Sequence, residues 1–262
     1  GLLSVNARRV SPTQVSVDFL IDTKDAMGAN IVNTILEAER AVFSSFEANF
    51  LGAILSNYAT EQVVTVSAEV TVQQIGGQHI AEKIVALNDF AKHDIYRATT
   101  ENKGIFNGIS AVALATGNDW RAVEAAGHAY ASRTGCYQAL TTWHIVDNLL
   151  LGEISMPITV GTVGGTITAL PQAKQALEVM AIQTANQLRG IMLAVGLAQN
   201  LAALKAIVDG GIQRGHMRMQ YRALALQVGA TVEELPNLVF KLSQEQQVDA
   251  RVAQELLTEM RK

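Results

Sequence analysis

The sequence predicts an α+β fold, and three observations predict it. Within residues 2–73, apolar and polar side chains alternate in segments, as half-buried strands require. Residues 103–132 are rich in Ala and carry helical spacing. Residues 212–262 are more polar and read as three helices broken near Gly229 and Pro236.

Residues 2–10 and 14–21 alternate around Ser11-Pro12 and predict a β-hairpin. Thr23 or Asp25 can cap a helix that starts near Ala26 and runs into the forties, with Met27, Ile31 and Ile35 on one face. Strands are expected at 51–57 and 62–73, the second alternating through Val64, Val66, Ala68, Val70 and Val72. The opening third is therefore α+β with antiparallel pairing. Gly76-Gly77 precedes a helix at 78–92. Helices at 103–116 and 119–132 are joined by Thr116-Gly117-Asn118-Asp119, and a strand pair at 137–155 turns across Val146-Asp147-Asn148. Pro171 opens a further helix. The nearly all-apolar helix at 184–208 should be buried. Gly210-Gly211 reads as a hinge. No internal repeat is present.

At 262 residues the chain has room for one large domain or two ordinary ones. With 49% apolar and 17% charged residues it can build a sizeable core. A net charge of −4 without basic runs speaks against nucleic acid or anionic membrane as partners. No apolar run is expected to reach the ~18 residues of a membrane span. The lone Cys136 forbids an internal disulfide, and without a signal-peptide pattern the expected location is the cytoplasm. Gly1 is not an initiator and residues 2–7 read as mid-strand, so the chain is expected to be a cleavage product or one piece of a longer polypeptide.

The stretch Glu101-Asn102-Lys103-Gly104-Ile105-Phe106-Asn107-Gly108, followed by Gly117-Asn118-Asp119, is the most informative. It sets a lysine, an amide and a carboxylate among Ile, Val, Ala and Leu. Charge is costly there unless paired, and a Lys beside an Asp can stabilise a developing oxyanion. The plain alternative for Lys103 is an exposed lysine at a helix start, where the helix dipole disfavours it. For Asp119 the alternative is an ordinary N-cap. Asp25-Ala26-Met27-Gly28-Ala29-Asn30 puts small residues at a helix N-terminus, where free N–H groups attract phosphate; the alternative is a tightly packed first turn. Gly161-Thr162-Val163-Gly164-Gly165-Thr166 either lets a backbone approach a ligand or simply turns. His216, just past Gly210-Gly211, is a candidate mobile acid or a structural histidine. Cys136, Trp120, Trp143, His79, His93, His128 and His144 read as packing or surface. G-x-G-x-x-G, Walker, G-x-S-x-G and C-x-x-C patterns are missing, and the five histidines lack ligand spacing, so no metal site is expected.

These motifs closely resemble the 3-hydroxy-3-methylglutaryl-CoA reductases in their bacterial class II form. The matching residues are Asp25 to Asn30, Ile54-Leu55-Ser56-Asn57-Tyr58, Arg97, Glu101 to Gly108, Gly117-Asn118-Asp119, Met156-Pro157, Gly161 to Thr166, Gly196-Leu197-Ala198-Gln199-Asn200 and Gly211 to Met217. They run through nearly the whole chain in the family's order.

The resemblance implies reduction of 3-hydroxy-3-methylglutaryl-CoA to mevalonate and CoA in two hydride steps, with NADPH (or NADH) as cofactor. It implies Lys103 as the oxyanion-stabilising lysine, Asp119 as the aspartate that holds it, and His216 as the acid that protonates the CoA thiolate. Arg97 and Asn107 are implied to hold the acyl group, Asn57 to be a further substrate-binding amide of the active site, and Asp25, Ala26, Met27, Gly28, Ala29 and Asn30 to hold the dinucleotide. It further implies a partial small antiparallel α/β cofactor domain of non-Rossmann type over 1–56. A mainly helical catalytic and substrate-binding domain over 57–209 and a C-terminal helical flap over 210–262 complete the expectation.

A helix from Lys103 to Thr116 spans roughly 20 Å, so Lys103 and Asp119 would sit at its opposite ends and could not pair within one subunit. Either the helix starts later and the lysine loop folds back, or the partner comes from a neighbouring subunit; a homodimer with an interfacial active site, which the family has, is the expectation. The family also uses an upstream glutamate that neither Glu101 nor Glu124 matches. The missing N-terminal segment is expected on a separate chain or a cleaved piece, and residues 1–262 alone should be inactive. Two alternatives stand beside this reading: a non-catalytic acyl-CoA-binding relative, and a structural fragment of a larger assembly.

Overall fold

The computed structural model describes residues 1–43, 50–245 and 247–261, excluding the side chains at 166, 213–216 and 218. Strands β1 (Leu2–Ser11) and β2 (Gln14–Ile21) form the expected antiparallel hairpin, with Val5 opposite Phe19 and Ala7 opposite Val17. Helix α1 (Ala29–Phe43) begins later than Ala26 because Gly28 sits at φ +93°, outside the helical region. Any Cβ at Gly28 would also run into the Thr23 side chain. None of the residues of α1 is buried. The continuation expected beyond Phe43 falls at 44–49, outside the described residues.

Residues 51–57 are a loop, which corrects the strand expected there. Leu51 and Ile54 are 81% and 77% exposed, so the apolar run has no covering face to pack against. The loop is held instead by Asn33, whose Oδ1 accepts the Leu55 N–H at 2.9 Å.

Strand β3 (Val63–Thr71) leads into the short α2 (Val72–Ile75) through a capping box between Thr71 and Gln74. Helices α3 (Gln78–His93), α4 (Ile95–Ala115) and α5 (Trp120–Ala131) follow, then β4 (Thr141–Val146) and β5 (Leu149–Pro157). The three strands form an antiparallel sheet in the order β3-β5-β4. Leu150, Ile154 and Met156 of the central β5 are fully buried. Gly152 lies directly opposite Trp143 and has the indole ring where a Cβ would go.

Helix α4 starts well before the expected residue 103. Asp94 caps it, accepting the Arg97 N–H at 2.7 Å. Thr99 and Thr100 turn their hydroxyls back onto the carbonyls of Ile95 and Tyr96, so these β-branched residues sit within a helix.

The chain continues through α6 (Gly165–Ala169), α7 (Pro171–Val179) and α8 (Ala185–Val208). Helix α8 is long and apolar enough to cross a membrane, with a window hydropathy of 1.8, which corrects the expectation that no run reaches that length. Only 33% of that window is buried, so full burial is corrected as well. Its buried side, Leu188, Met192, Leu193 and Leu197, packs as a core helix would. Gly196 meets Ile105 and Ile109 of α4, and Gly108 of α4 meets Val195, so small residues let the two backbones approach closely.

The structure divides into residues 1–201 and 202–262. In the second unit α9 (Ile212–Gln227), α10 (Leu235–Leu242) and α11 (Ala250–Met260) enclose a core of Ala225, Leu235, Leu238, Leu242, Ala253 and Leu257. Pro236 lies in the first turn of α10, where its ring is tolerated, and does not break the helix. The Arg261 guanidinium holds the Glu234 carboxyl down to about 2.

Gly152→Ala is expected to lower stability by about 1–3 kcal/mol, because the Trp143 ring must shift. An unchanged thermal midpoint would contradict that packing.

Candidate active site

Helix α4 carries two opposed polar sets. Its inward face holds Ala98, Ile105, Ile109 and Ala113, and among them Glu101 with its side chain wholly shielded from solvent. Glu101 Oε1 accepts from Asn88 Nδ2 at 2.7 Å, Thr141 Oγ1 at 3.2 Å and Asn200 Nδ2 at 3.2 Å. Asn88 Oδ1 accepts the Trp143 N–H at 3.0 Å, and Asn200 Oδ1 accepts the Trp143 Nε1–H at 2.7 Å. One carboxylate thus ties together α3, α4, β4 and α8. Its Oε2 faces Arg97 Nη2 at 3.0 Å as an ion pair. Next to it, Asn102 bridges the chain before β4, accepting the Leu140 N–H at 3.0 Å and donating to Gln138 O at 2.9 Å.

The outward face of α4 presents Lys103 and Asn107, one turn apart and both exposed. Among the described residues Lys103 has no ion-pair or hydrogen-bond partner. Lys103 lies in the middle of α4, which corrects its placement at a helix start. The dipole penalty expected for that position therefore does not apply, since it fades beyond the first turn.

Asp119 is the N-cap of α5, accepting the N–H groups of Arg121 at 3.0 Å and Ala122 at 3.2 Å. Its ion partner is Arg121 at 3.2 Å. The Arg121 side-chain hydrogen bond holds the Asp119 carboxyl below the usual carboxylate range. From Lys103 to the end of α4 at Ala115 the helix rises about 18 Å, so the two ends of the lysine–aspartate pair are separated within this chain.

Asn118 does what the sequence did not disclose. Its Oδ1 accepts the Gly161 N–H at 2.8 Å and its Nδ2 donates to Gly161 O at 3.1 Å. Gly161 in turn lies where any Cβ would strike the backbone of Asp25, Ala26 and Met27. Thr162 N–H donates to Asp25 O at 2.8 Å, and Ala26 bridges to Val163. The glycine-rich stretch thus approaches the chain's own Asp25–Asn30 segment. Asp25 Oδ1 is engaged by the Ala185 N–H at 2.8 Å, at the start of α8. Gly28 occupies the position before α1 and has no side chain of its own to cap it.

The structure therefore brings together Asp25–Asn30, Asn118-Asp119 and Gly161–Val163, and places Arg97, Lys103 and Asn107 on one helix. Asn57 sits exposed in the loop before β3. His216 lies on α9 in the second unit, and its side chain is outside the described residues. Sequence reasoning passed over Asn88 and Thr141, matched Asn200 within a motif without giving it a role, and set Glu101 aside. Two signals existed: Asn88 interrupts the buried stripe Ala81, Ile84, Ala91, and Arg97–Glu101 is an i,i+4 pair.

An ammonium and an amide on one rigid helix face can stabilise negative charge on a ligand oxygen, and the helix start can receive an anionic group. Groups that can meet an anion in this way are found in enzymes acting on carbonyl compounds. The Hydroxymethylglutaryl-coenzyme A reductase family model matches residues 1–221, and the chain belongs to that family. A 3-hydroxy-3-methylglutaryl-coenzyme A reductase of Archaeoglobus fulgidus is 40% identical over 247 residues, covering 94% of this chain and 56% of that protein. A probable reductase of Borreliella burgdorferi is 37% identical, over 84% of this chain and 52% of its own length. The class II reductase of Streptococcus pneumoniae, solved bound to NADPH in open conformations, superposes with a TM-score of 0.77 at 41% identity. That match covers 100% of this chain and 66% of the pneumococcal one. The chain thus spans about half the length of the curated relatives it matches.

Asp119→Ala is expected to destabilise the start of α5, with cap losses typically ~1 kcal/mol. Because the folded-state carboxyl is lowered, its contribution is complete above the ordinary carboxylate range and fades as pH falls through the lowered value. The stability difference from wild type should shrink below about pH 4. A difference that grows on acidification would contradict the assignment.

Proposed function

We propose that this chain carries the main catalytic part of an NADPH-dependent 3-hydroxy-3-methylglutaryl-CoA reductase, forming mevalonate and CoA. The observation that carries the reading is the solvent-facing Lys103–Asn107 pair on a helix whose other side is locked by a buried polar cluster. The family match over residues 1–221 supports it.

Bound NADPH supplies the hydride. Asp25–Asn30 receives the dinucleotide, with the start of α1 toward its phosphates; this segment and the hairpin are read as a cofactor module without a Rossmann fingerprint. Lys103 holds its ammonium where charge develops on the thioester oxygen, so no reorganisation is needed as the hydride arrives. Arg97, Asn107 and Asn57 hold the acyl group. His216, on a three-helix flap following Gly210-Gly211, delivers a proton to the departing thiolate sulfur. Both hinge glycines have positive φ, which lets the flap take up a backbone conformation that other residues resist. A further carboxylic acid would come from the part of the relatives' length that this chain does not cover. The protein works in solution in the cytoplasm.

The separation of Lys103 from Asp119 along α4 supports a homodimer in which one subunit's lysine meets the other's aspartate. Arg121 already occupies Asp119 within its own chain, so the partner's lysine would approach a carboxylate kept charged.

The complete gene product should consume two NADPH per CoA thiol released from 3-hydroxy-3-methylglutaryl-CoA. Lys103→Ala should lower kcat by roughly two to three orders of magnitude. No NADPH oxidation, or a full rate in Lys103→Ala, would sink the reading. Mixing Lys103→Ala with Asp119→Ala subunits should restore roughly a quarter of the wild-type sites in a statistical mixture. Zero recovery would place the pair within one subunit.

A further inference from the structure

Glu101 is the most deeply buried acid on α4, and none of the roles given above uses it. Its carboxylate is wholly shielded, and every group facing it is a donor: Asn88, Thr141 and Asn200 at Oε1, Arg97 at Oε2. Burying such a pair is a poor way to gain stability, since apolar residues of similar volume usually do as well or better. The cluster does, however, fix one position for a charge. Arg97 keeps 14% of its side chain exposed, while its Nε is buried without a hydrogen-bond partner among the described residues. Glu101 Oε2 likewise has no aligned hydrogen bond there. A guanidinium that forgoes a hydrogen bond at Nε to face a carboxylate at 3.0 Å is held by charge.

We propose that Glu101 is a positioning residue: anchored on three elements by Asn88, Thr141 and Asn200, it holds the Arg97 guanidinium so that its exposed edge meets the free carboxylate of the acyl substrate. This rests on the reading that Arg97 binds the hydroxymethylglutaryl group. A guanidinium has five N–H donors in a rigid fork. The contact with Glu101 uses one end of the fork and sets the direction of the rest. Without it the arginine would sample other rotamers, and each binding event would bear the cost of ordering it. The acyl end should lose affinity while the CoA end and the hydride step do not.

The test uses the complete gene product and two probes, free 3-hydroxy-3-methylglutarate and free CoA. Glu101→Gln keeps the size and much of the hydrogen bonding but removes the charge. It should weaken 3-hydroxy-3-methylglutarate binding and raise the acyl-CoA KM by about tenfold, the scale on which orienting partners act. CoA affinity and kcat should stay within about twofold. Arg97→Lys should weaken the same probe, and the double variant should be no worse than the poorer single one, since both remove one coupled interaction. Equal losses for both probes, no loss for either, or additive losses in the double variant would overturn the proposal. If Glu101→Gln does not fold, Thr141→Val, which removes a single donor to Oε1, decides by the same split in a smaller change. Failure of the underlying reading looks different: wild-type protein would then not bind 3-hydroxy-3-methylglutarate at all.

Discussion

The rest of this structure depends on one buried carboxylate. Glu101 Oε1 gathers donors from α3, β4 and α8, and the two amide partners each make a second bond that fixes a further group. Asn88 secures the Trp143 amide, and Asn200 secures the Trp143 indole. Trp143 then covers Gly152 at the centre of the sheet. Remove the acid and three amide and hydroxyl side chains lose a shared acceptor in a water-free interior, where each unpaired polar group costs about 1–3 kcal/mol. A helix held in this way cannot roll; that hold needs only the oxygen acceptor at Oε1, whereas the charge on Oε2 serves Arg97.

A second device orders the remaining site. Asn118 grips both the N–H and C=O of Gly161, and Gly161 presses on the backbone of Asp25 and Met27. Only a residue without Cβ fits there. Three motifs far apart in sequence thereby become one locality, and the segment between Asp22 and α1 takes its shape from contacts with residues 161–163. The hairpin and α1 bury little by comparison. Their order comes from hydrogen bonds at their base, such as those to Asp25 and Asn33, more than from a core of their own.

Much of this was legible in the sequence. Alternation placed β1, β2 and β3, and helical period with Gly and Pro punctuation placed α3, α7, α8 and the three final helices. The failures have physical causes. Residues 51–57 are a short apolar run that suits a strand, but a strand also requires a ladder partner, which no local pattern reports. The start of α4 was hidden because Thr99 and Thr100 lower helix propensity, and their back-bonding to Ile95 and Tyr96 is visible only in three dimensions. Lys103 was seen as a charge among apolar residues, whereas the helix turns it outward and turns Glu101 inward. Sequence spacing could pair Arg97 with Glu101, but it could not show that Asn88, Thr141 and Asn200 converge on the same oxygen. The Asp119 carboxylate was legible as a cap, and its separation from Lys103 followed from helix rise alone.

If Glu101 is what holds α4 in place, the amides along its buried stretch should be among the slowest in the protein to exchange hydrogen. Hydrogen–deuterium exchange of the complete gene product tests this directly. The amides of residues 98–109, together with the Trp143 amide held by Asn88, should exchange far more slowly than those of β1, β2 and α1. Exchange in α4 as fast as in the hairpin would contradict the claim that this cluster is the fixed point of the fold.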